Sequence, residues 1–237
     1  MNRVVSRDEW NTERITLLAR EKEIRRELDA LSRTRRELPW VRVSKEYLFE
    51  GEGGSRSLAD LFGGKHQLVL YHFMFGIDWE EGCPTCSLWL DGLQGAIPHL
   101  AQRDVNFVTV SSAPWGRLRD FRDRMGWRHT WVSAMGPDFG RDFHVSYSAE
   151  EIDAGDTFYN YQAGHSYGEE SPGLSVFQLE ANGEIFHTYS TYARGLEAIN
   201  LVYPILDMVP MGRAEEGLPY PPRHGFDIGI ATTALSG

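Results

Sequence analysis

The N-terminal part of the chain carries isolated apolar residues at regular intervals among charged ones. Ser6 followed by Glu9 is typical of a helix start, because each side chain can bond the backbone N–H of the other. Apolar side chains then recur every seven residues, at Trp10, Leu17, Ile24 and Leu31. This period predicts one apolar stripe on an amphipathic helix that ends before Pro39. Two uses of the stripe stay open: packing across the chain's own domain, or the contact of a homodimer.

The middle of the chain alternates between short apolar runs and turn residues. The run at 66–75 is β-branched, aromatic and almost continuously apolar, which is typical of a central strand covered on both faces. The apolar run at 105–110 predicts another strand, and the segment between the two runs has the period of a helix. Further predicted elements are a strand at 41–50, a helical turn at 57–61, a helix at 114–126 and a short strand at 130–134.

The C-terminal third begins with a polar and aromatic segment without a clear period, residues 148–171. We interpret it as an insertion that covers another part of the protein. Asn182-Gly183 then stands between the apolar runs at 174–179 and 184–189, which indicates a β-hairpin.

The order of these elements predicts the fold class. A parallel βαβ unit, then an antiparallel hairpin and a final helix at 194–207, gives an α/β protein whose mixed sheet is flanked by helices. The chain then divides into the N-terminal helix at 1–38, a domain at 39–212 that contains the insertion, and a Pro- and Gly-rich tail at 213–237.

Composition and charge exclude several functions. The chain has 237 residues, of which 41% are hydrophobic, and this suits a globular protein with a core of its own. Its formal net charge of −10 argues against nucleic acid as a partner, because binding to phosphates needs Lys and Arg. No run approaches the roughly 20 apolar residues of a membrane span, and the N-terminus lacks a signal-peptide core. We therefore expect a cytoplasmic protein that binds neither nucleic acid nor membranes.

Cys83 and Cys86 are the only cysteines of the chain. In a reducing compartment, a pair at this spacing is catalytic or metal-binding more often than structural. Pro84 suits the first position of a helix, where the missing N–H is not needed. The helix is predicted to extend to about residue 102, with one buried stripe formed by Cys86, Leu90, Leu93, Ile97 and Leu100.

The two positions predict different roles for the thiols. Free backbone N–H groups and the dipole of a helix start favour the thiolate of Cys83, which is the attacking form. Cys86 would stay protonated on the buried stripe and then attack a mixed disulfide formed on Cys83. The acidic Asp78, Glu80 and Glu81 oppose this if they face the pair, because negative charge raises the pKa of a thiol. Such a cycle needs no bound cofactor.

A metal site or a redox sensor is the alternative use of the same thiols. A structural zinc ion needs four ligands, so scattered histidines such as His72 and His144 would have to complete the site. A sensor would report oxidation of the pair through a dimer contact of the N-terminal helix. A thioredoxin-like redox site is favoured over both, because the pair stands where a strand leads into a helix within a βαβ pattern.

Three segments resemble a known family: FGIDWEEGCPTCS at 75–87, PGLSVF at 172–177 and FHTYSTYARG at 186–195. With the strand, the Cys-x-x-Cys helix and the proline-preceded hairpin, they are similar to the thioredoxin superfamily and, within it, to a bacterial family of unknown function. That family is described as predicted dithiol–disulfide oxidoreductases, related to the alkyl hydroperoxide reductase and thiol-specific antioxidant group. The resemblance extends to about Arg213 and implies a thioredoxin-like fold with dithiol chemistry.

The resemblance also implies roles for residues around the pair. Thioredoxins carry a proton-relay acid on the central strand, and alignment of the strands puts His72 there; a packed, hydrogen-bonded histidine is the alternative. They also have a cis-proline before the hairpin, for which Pro172 is the candidate. Trp79, in the loop before the pair, could cover the disulfide as a lid.

Two departures from the family patterns narrow the function. Gly82 stands where thioredoxin has a Trp, which argues against broad reduction of protein disulfides. Trp79 and Glu80 replace the residues that precede a peroxidatic cysteine, so a peroxiredoxin-like thiol peroxidase rests on fold kinship alone. We therefore expect a thiol–disulfide oxidoreductase whose partners are a thiol or disulfide substrate and a reducing dithiol system. The peroxidase and a non-enzymatic module are the alternatives.

Overall fold

The computed structural model describes residues 2–134, 136 and 138–213, and the chain divides after Trp40 into two units. The tail predicted at 213–237 lies outside the described residues, except for Arg213.

The first unit consists mainly of α1 (Arg7–Arg36), as the N-terminal pattern predicts. Ser6 Oγ accepts the N–H of Glu9 at 3.3 Å, and the Glu9 carboxylate accepts the N–H of Ser6 at 2.9 Å. This reciprocal cap satisfies two backbone donors at the helix start, and the hydrogen bonds from Ser6 lower the pKa of Glu9. The use of the apolar stripe stays a prediction.

The second unit is built on a mixed eight-stranded sheet. The strands of the described residues are β1 (Val41–Arg42), β2 (Leu48–Gly51), β3 (Gly54–Ser57), β4 (Gln67–His72), β5 (Val105–Ser111), β6 (Thr130–Ala134), β7 (Phe158–Tyr159), β8 (Gln162–Ala163), β9 (Gly173–Leu179) and β10 (Ile185–Tyr192). The order in the large sheet is β1-β10-β9-β4-β5-β6-β2-β3, and β7 pairs with β8 separately. β4 and β6 both run parallel to β5, whereas β9 is antiparallel to β4 and to β10.

The helices of this unit are short. Those described are α2 (Pro84–Leu93), α3 (Ile97–Ala101), α4 (Trp115–Met125), α5 (Asp138–Asp142), α6 (Ala149–Ala154) and α7 (Tyr203–Leu206), with 3-10 segments at Asp60–Phe62 and Ala193–Ile199. The parallel unit β4–α2–α3–β5 and the antiparallel hairpin β9–β10 lie in one sheet. The predicted α/β class, a mixed sheet flanked by helices with a long N-terminal helix, is confirmed. No described helix combines the length and the apolar character that a membrane crossing requires.

Three predicted elements are interrupted. The helix predicted from Cys83 to about 102 breaks between α2 and α3, where Pro98 has no N–H to continue the ladder. The final helix predicted at 194–207 is a 3-10 segment followed by α7, because the Asn200 side chain accepts the N–H groups of Val202 and Tyr203 and starts a new helix. The strand predicted at 41–50 is divided into β1 and β2.

Strand β4 is covered on both faces, as its apolar run predicts. Successive side chains of a strand point to opposite faces. Tyr71 and, just beyond the strand, Phe73 belong to the core that also holds Cys83 and Cys86. Leu68 and Leu70 point to the opposite face of the strand. They pack in the other core, with Phe49, Phe62, Val108, Phe139 and Phe177.

A chain of buried polar side chains crosses this second core. His72 Nε2 lies 2.9 Å from Ser175 Oγ, which lies 2.8 Å from Ser190 Oγ, and His187 Nε2 lies 2.7 Å from the same Ser190 oxygen. The His72 ring stacks on Phe139 at 5.7 Å between centroids. Burial, and then the neighbouring His187, lowers the pKa of His72 to about 3. The histidine is therefore neutral in the folded protein.

We predict that His72 makes the protein less stable in acid. A histidine whose pKa is lowered by folding stabilises the native state fully above its unfolded pKa, and this stability is lost as the pH falls through that value. With an unfolded pKa near 6.5 and a folded one of about 3, acidification from about pH 7 to about pH 5 removes roughly 2 kcal/mol. Urea unfolding at the two pH values measures this loss of unfolding free energy. In His72→Gln the loss should be smaller than in the wild type by about the same amount.

The comparison between variants is needed because other groups titrate in the same range. His129 acts in the same direction, with a pKa lowered to about 4 by burial, and Glu170 acts in the opposite one, with a pKa raised by burial to about 7. His99→Gln, at an exposed position, is the control. An equal pH dependence of unfolding in the wild type and His72→Gln would contradict the assignment.

Candidate functional site

The cysteine pair lies where the central strand leads into α2. After β4 the chain passes through a loop, and the N–H of Cys83 donates to Met74 O at 3.0 Å, which holds the loop's end against its beginning. Cys83 is the N-cap of α2, and Pro84 occupies the first turn, as predicted. Ser87 donates both its N–H and its hydroxyl to the carbonyl of Cys83, each at 3.0 Å. The backbone of the first thiol is therefore held on both sides.

The sulfur of Cys83 acts as the capping acceptor of the helix. The N–H of Cys86 donates to Cys83 Sγ at 3.5 Å, in the position where Ser or Asp oxygens usually cap. The Cys86 side chain and the N–H groups of Cys86 and Thr85 lower the pKa of Cys83 to about 7, although partial burial opposes the shift. A substantial fraction of Cys83 is then thiolate at neutral pH.

Cys86 has the opposite electrostatic environment. Its side chain is 1% exposed, against 8% for Cys83, and burial raises its pKa well above the usual value. The neighbouring Cys83 raises it further, because two adjacent thiolates repel each other. Both cysteines are free thiols in this structure. The pKa values of the two sulfurs are thus shifted in opposite directions.

Tyr71, and not His72, is the strand residue that lies with the thiols. The Tyr71 hydroxyl is buried, and no nitrogen or oxygen of the described residues is its hydrogen-bond partner. Its neighbour is the Cys86 thiol, and their interaction lowers the pKa of Cys86. Burial, and next the charge of Cys86, raises the pKa of Tyr71 well above its usual value. His72 points to the opposite face, so the geometry does not support the predicted relay role for it.

The loop before the pair packs tightly at two glycines. A Cβ on Gly82 would lie 2.6 Å from the Phe73 ring, so the position that holds Trp in thioredoxin has no room for a side chain here. A Cβ on Gly76 would lie 2.8 Å from Trp79 Nε1, because this ring rests on the backbone. Trp79 is half-buried and packs against the core of the thiols. Its role as a lid stays a prediction.

The charges of this loop do not dominate the pair. Arg117 donates to the carbonyls of Ile77 and Trp79, both at 2.7 Å, and Arg124 forms a salt bridge with Glu81. The largest influences on the pKa of Cys83 are Cys86, burial and Thr85. The predicted opposition from the acidic loop is therefore secondary to the helix start.

The position of Pro172 differs from the thioredoxin pattern. No peptide bond of the described residues is cis, so the candidate cis-proline is trans and that expectation is wrong. Pro172 is buried, and its carbonyl accepts a hydrogen bond from the Tyr159 hydroxyl at 2.7 Å. The same hydroxyl accepts the N–H of Ala193 at 2.9 Å. This tyrosine from the insertion therefore joins the segment before β9 to the end of β10.

Aromatic rings of the insertion pack against the end of the hairpin. Tyr159 packs edge-on against Tyr167 and Tyr192, with centroids 5.5 and 5.4 Å apart. The charge of Cys86 contributes to the raised pKa of Tyr159, after burial. The segment at 148–171 thus packs against β10, and its interpretation as an insertion that covers another part of the protein stays a prediction.

The metal alternative finds no support in the geometry. Among the described residues, no group of three or more His, Cys, Asp or Glu side chains is arranged to hold an ion. His72 lies in the other core, against Phe139. His144 packs against Phe158 at 5.0 Å between ring centroids.

Comparison with known proteins identifies the family. A family model described as "Bacterial protein of unknown function (DUF899)" matches residues 1–227, which confirms the resemblance to a bacterial family of unknown function. No curated protein matches the chain.

Several solved structures resemble the fold distantly. Peroxidoxin BcpB from Mycobacterium tuberculosis has 12% identity and a TM-score of 0.46, over 66% of this chain and 86% of that one. A peroxiredoxin Q of Xanthomonas campestris has 16% identity and a TM-score of 0.43, over 64% and 86%. PrxQ of Xylella fastidiosa has 11% identity and a TM-score of 0.40, over 66% and 85%. Similarities at this level carry no information about individual residues.

We predict that iodoacetamide modifies Cys83 much faster than Cys86. The rate at Cys83 should rise through a midpoint near pH 7, because the helix start favours its thiolate, and Cys86 should react at least about tenfold more slowly at neutral pH. Mass spectrometry of peptides after timed quenching measures both rates. Equal rates, or faster modification of Cys86, would contradict the assignment of roles.

Proposed function

The chain belongs to the bacterial family of unknown function DUF899, and we propose that it is a thiol–disulfide oxidoreductase that uses Cys83 and Cys86. The observation that carries the proposal is the unequal state of two free thiols one helical turn apart. The Cys83 sulfur caps α2 and has a pKa lowered to about 7, while Cys86 is buried and its pKa is raised. A nucleophile and a resolving thiol need this difference.

The proposed cycle begins with the reduced pair. The Cys83 thiolate attacks one sulfur of a substrate disulfide, forms a mixed disulfide and releases the first substrate thiolate, which takes up a proton. Cys86 then loses its proton and attacks Cys83 Sγ, which releases the second substrate thiol and leaves a Cys83–Cys86 disulfide. Two electrons pass from the pair to the substrate. A dithiol of a reducing compartment such as the cytoplasm restores the pair by the reverse exchange.

Tyr71 has a defined part in the second step. Its hydroxyl faces Cys86 and favours the thiolate form of that sulfur. A buried thiolate without a hydrogen-bond donor would be costly, and the Tyr71 hydroxyl has no competing nitrogen or oxygen partner among the described residues. We therefore assign Tyr71 as a positioning residue that stabilises the attacking form of Cys86.

The two alternatives predict different chemistry at the same sulfur. A thiol peroxidase would form a sulfenic acid on Cys83 with a peroxide, and Cys86 would then expel water to give the same intramolecular disulfide. A metal module would retain an ion under reducing conditions and exchange no disulfide. The experiment below separates them by using a disulfide, a peroxide and metal analysis of the purified protein.

We predict that Cys86→Ser traps the mixed disulfide. The reduced wild type should convert 2-hydroxyethyl disulfide to thiol and accumulate the Cys83–Cys86 disulfide. Cys86→Ser should stop with one substrate half on Cys83, because the resolving thiol is absent, and Cys83→Ser should lose at least about 100-fold in rate. Intact-mass spectrometry under acid quench measures each species.

The controls address the alternatives. Conversion of hydrogen peroxide without reaction of any disulfide would favour the peroxidase. Stoichiometric zinc or copper held by the two thiols after reducing purification would favour the metal module. Unchanged disulfide turnover in Cys83→Ser would remove the pair from the active site.

We predict that Tyr71→Phe slows resolution without destabilising the fold. The substitution removes a buried hydroxyl without a nitrogen or oxygen partner, so the free energy of unfolding should be unchanged or higher by about 1 kcal/mol. The decay of the mixed disulfide should slow by roughly tenfold, and its pH profile should shift upward, because Cys86 loses a donor to its thiolate. Quenched-flow sampling followed by mass spectrometry measures this decay.

Tyr47→Phe is the matched control for Tyr71→Phe. The Tyr47 hydroxyl donates to Asp142 at 2.7 Å in the other core, so its loss should lower stability and leave resolution unchanged. Equal decay rates in the wild type and Tyr71→Phe would remove Tyr71 from the second step.

A further inference from the structure

A second site lies at the carboxyl ends of β4 and β5. A cavity of about 310 Å³ opens there, and its lining includes Gly76–Asp78, Ser112, Ser146 and Glu170. Clefts beyond the carboxyl ends of parallel strands are common ligand sites in open α/β sheets. The loop that lines this cavity at Gly76–Asp78 continues directly into Cys83.

Glu170 is the buried acid of this cavity. The residue is only 9% exposed to solvent. Two backbone hydrogen bonds fix the segment beside it: the N–H of Tyr147 donates to Glu169 O at 2.9 Å, and the N–H of Ser171 donates to Val145 O at 2.7 Å. The carboxyl group is therefore held in place by the sheet-like pairing of its own backbone.

The Glu170 carboxyl lacks a cation. Ser146 Oγ approaches its two oxygens at 3.3 and 3.4 Å, and Ser112 Oγ lies 3.4 Å from the Ser146 hydroxyl. The hydroxyls of Ser112 and Ser146 thus act on the carboxyl group and oppose the rise of its pKa, and no Lys, Arg or His of the described residues forms an ion pair with it. Burial raises its pKa to about 7. A buried carboxylate without a cation is costly, so a cationic ligand would stabilise the ionised form of Glu170.

The remaining charges of the cavity favour a cationic ligand. Asp78 lines it together with Glu170, and Arg141, the one cation among the described lining residues, already contacts Glu151 at 3.3 Å. The hydroxyl groups of two lining residues, Ser112 and Ser146, can supply additional acceptors beside Glu170. An ammonium group has three donors and no acceptor, and so matches a lining of carboxylates and hydroxyls.

We propose that this cavity binds the primary ammonium group of a small organic amine, with the Glu170 carboxylate as its counter-ion. The ligand's remaining atoms fill the open part of the cavity, against the backbone of Gly76–Asp78. Binding converts Glu170 from a neutral acid to an ion-paired carboxylate, and the released proton goes to solvent.

The proton provides a specific readout of the proposal. Near pH 6, where Glu170 is mostly protonated, binding of an amine that is already charged should release close to one proton, and near pH 8 almost none. The titratable and charged groups around Glu170 are Asp78, Glu169 and Arg141 in the same cavity and His72 in the adjoining small one. His72 is neutral over this range because burial lowers its pKa to about 3.

Isothermal titration of the full chain with n-propylammonium chloride tests the site. Titrations in buffers of different ionisation enthalpy give the number of protons released. We expect the wild type to bind n-propylammonium and not to bind n-propanol at the same concentration. In Glu170→Gln the affinity for n-propylammonium should fall by at least about tenfold, and no proton should be released. Glu170→Gln keeps an acceptor and a donor for Ser146, and circular dichroism checks its fold.

Glu169→Gln is the matched control, because this neighbour lines the same cavity but is exposed. It should change the affinity by less than about threefold and leave proton release intact, since an exposed charge contributes little. Absence of propylammonium binding, equal binding of propanol, or equal affinity in Glu170→Gln would each overturn the proposal.

A second arm asks whether the cavity serves the thiols, and it rests on the proposed function. Cystamine is a disulfide with two ammonium groups, and its reduction by the pair releases two molecules of cysteamine. If cystamine reacts with Cys83 while one of its ammonium groups is bound at Glu170, Glu170→Gln should slow the reduction of cystamine by about tenfold. The reduction of 2-hydroxyethyl disulfide, which has no ammonium group, should be unchanged. Failure of every disulfide would reject the function, whereas failure of propylammonium binding alone would reject the site.

Discussion

Strand β4 has to be covered on both faces, and the chemistry of the protein follows from this constraint. Side chains alternate along the strand, so Tyr71 enters the core of the thiols while His72 enters the core of Phe139 and Phe177. Displacement by one residue would exchange these environments and place an imidazole beside Cys86. The strand also ends where its backbone must turn into the loop before Cys83. Whether Tyr71 or His72 lies beside the buried thiol is thus decided by which face of β4 each residue occupies.

At the end of this strand, helix formation and burial act on the two sulfurs in opposite directions. The start of α2 presents N–H groups to Cys83 and makes its thiolate accessible near neutrality. One turn later Cys86 is inside the core, where burial keeps it protonated. Gly76 and Gly82 allow the connecting loop to pass directly over Trp79 and Phe73. The asymmetry of the pair is therefore a property of the strand–loop–helix connection and requires no other group.

The same edge of the sheet holds a second buried ionisable group. Glu170 and Cys86 both have a raised pKa because the fold buries them without a cation. The loop at Gly76–Asp78 lines the cavity of Glu170 and belongs to the connection between β4 and α2, in which Cys83 follows. An open sheet places polar groups from distant segments at the carboxyl ends of its parallel strands. This explains how the insertion residue Glu170 comes to lie beside the loop of the cysteine pair.

The sequence alone determined the elements with strong local signals. The capping box at Ser6 and Glu9, the continuous apolar run of β4, the Asn182-Gly183 hairpin and the Cys83–Pro84 helix start depend on contacts within a few residues. The helix breaks before α3 and α7 were missed although their causes, Pro98 and the side chain of Asn200, act within a few residues. The cis bond expected at Pro172 came from the family resemblance, whereas the bond in the structure is trans. Only the folded chain decided that Tyr71 replaces His72 beside Cys86 and that Glu170 is buried without a cation. Both depend on which face of the sheet a distant segment covers, and spacing along the chain contains no record of that choice.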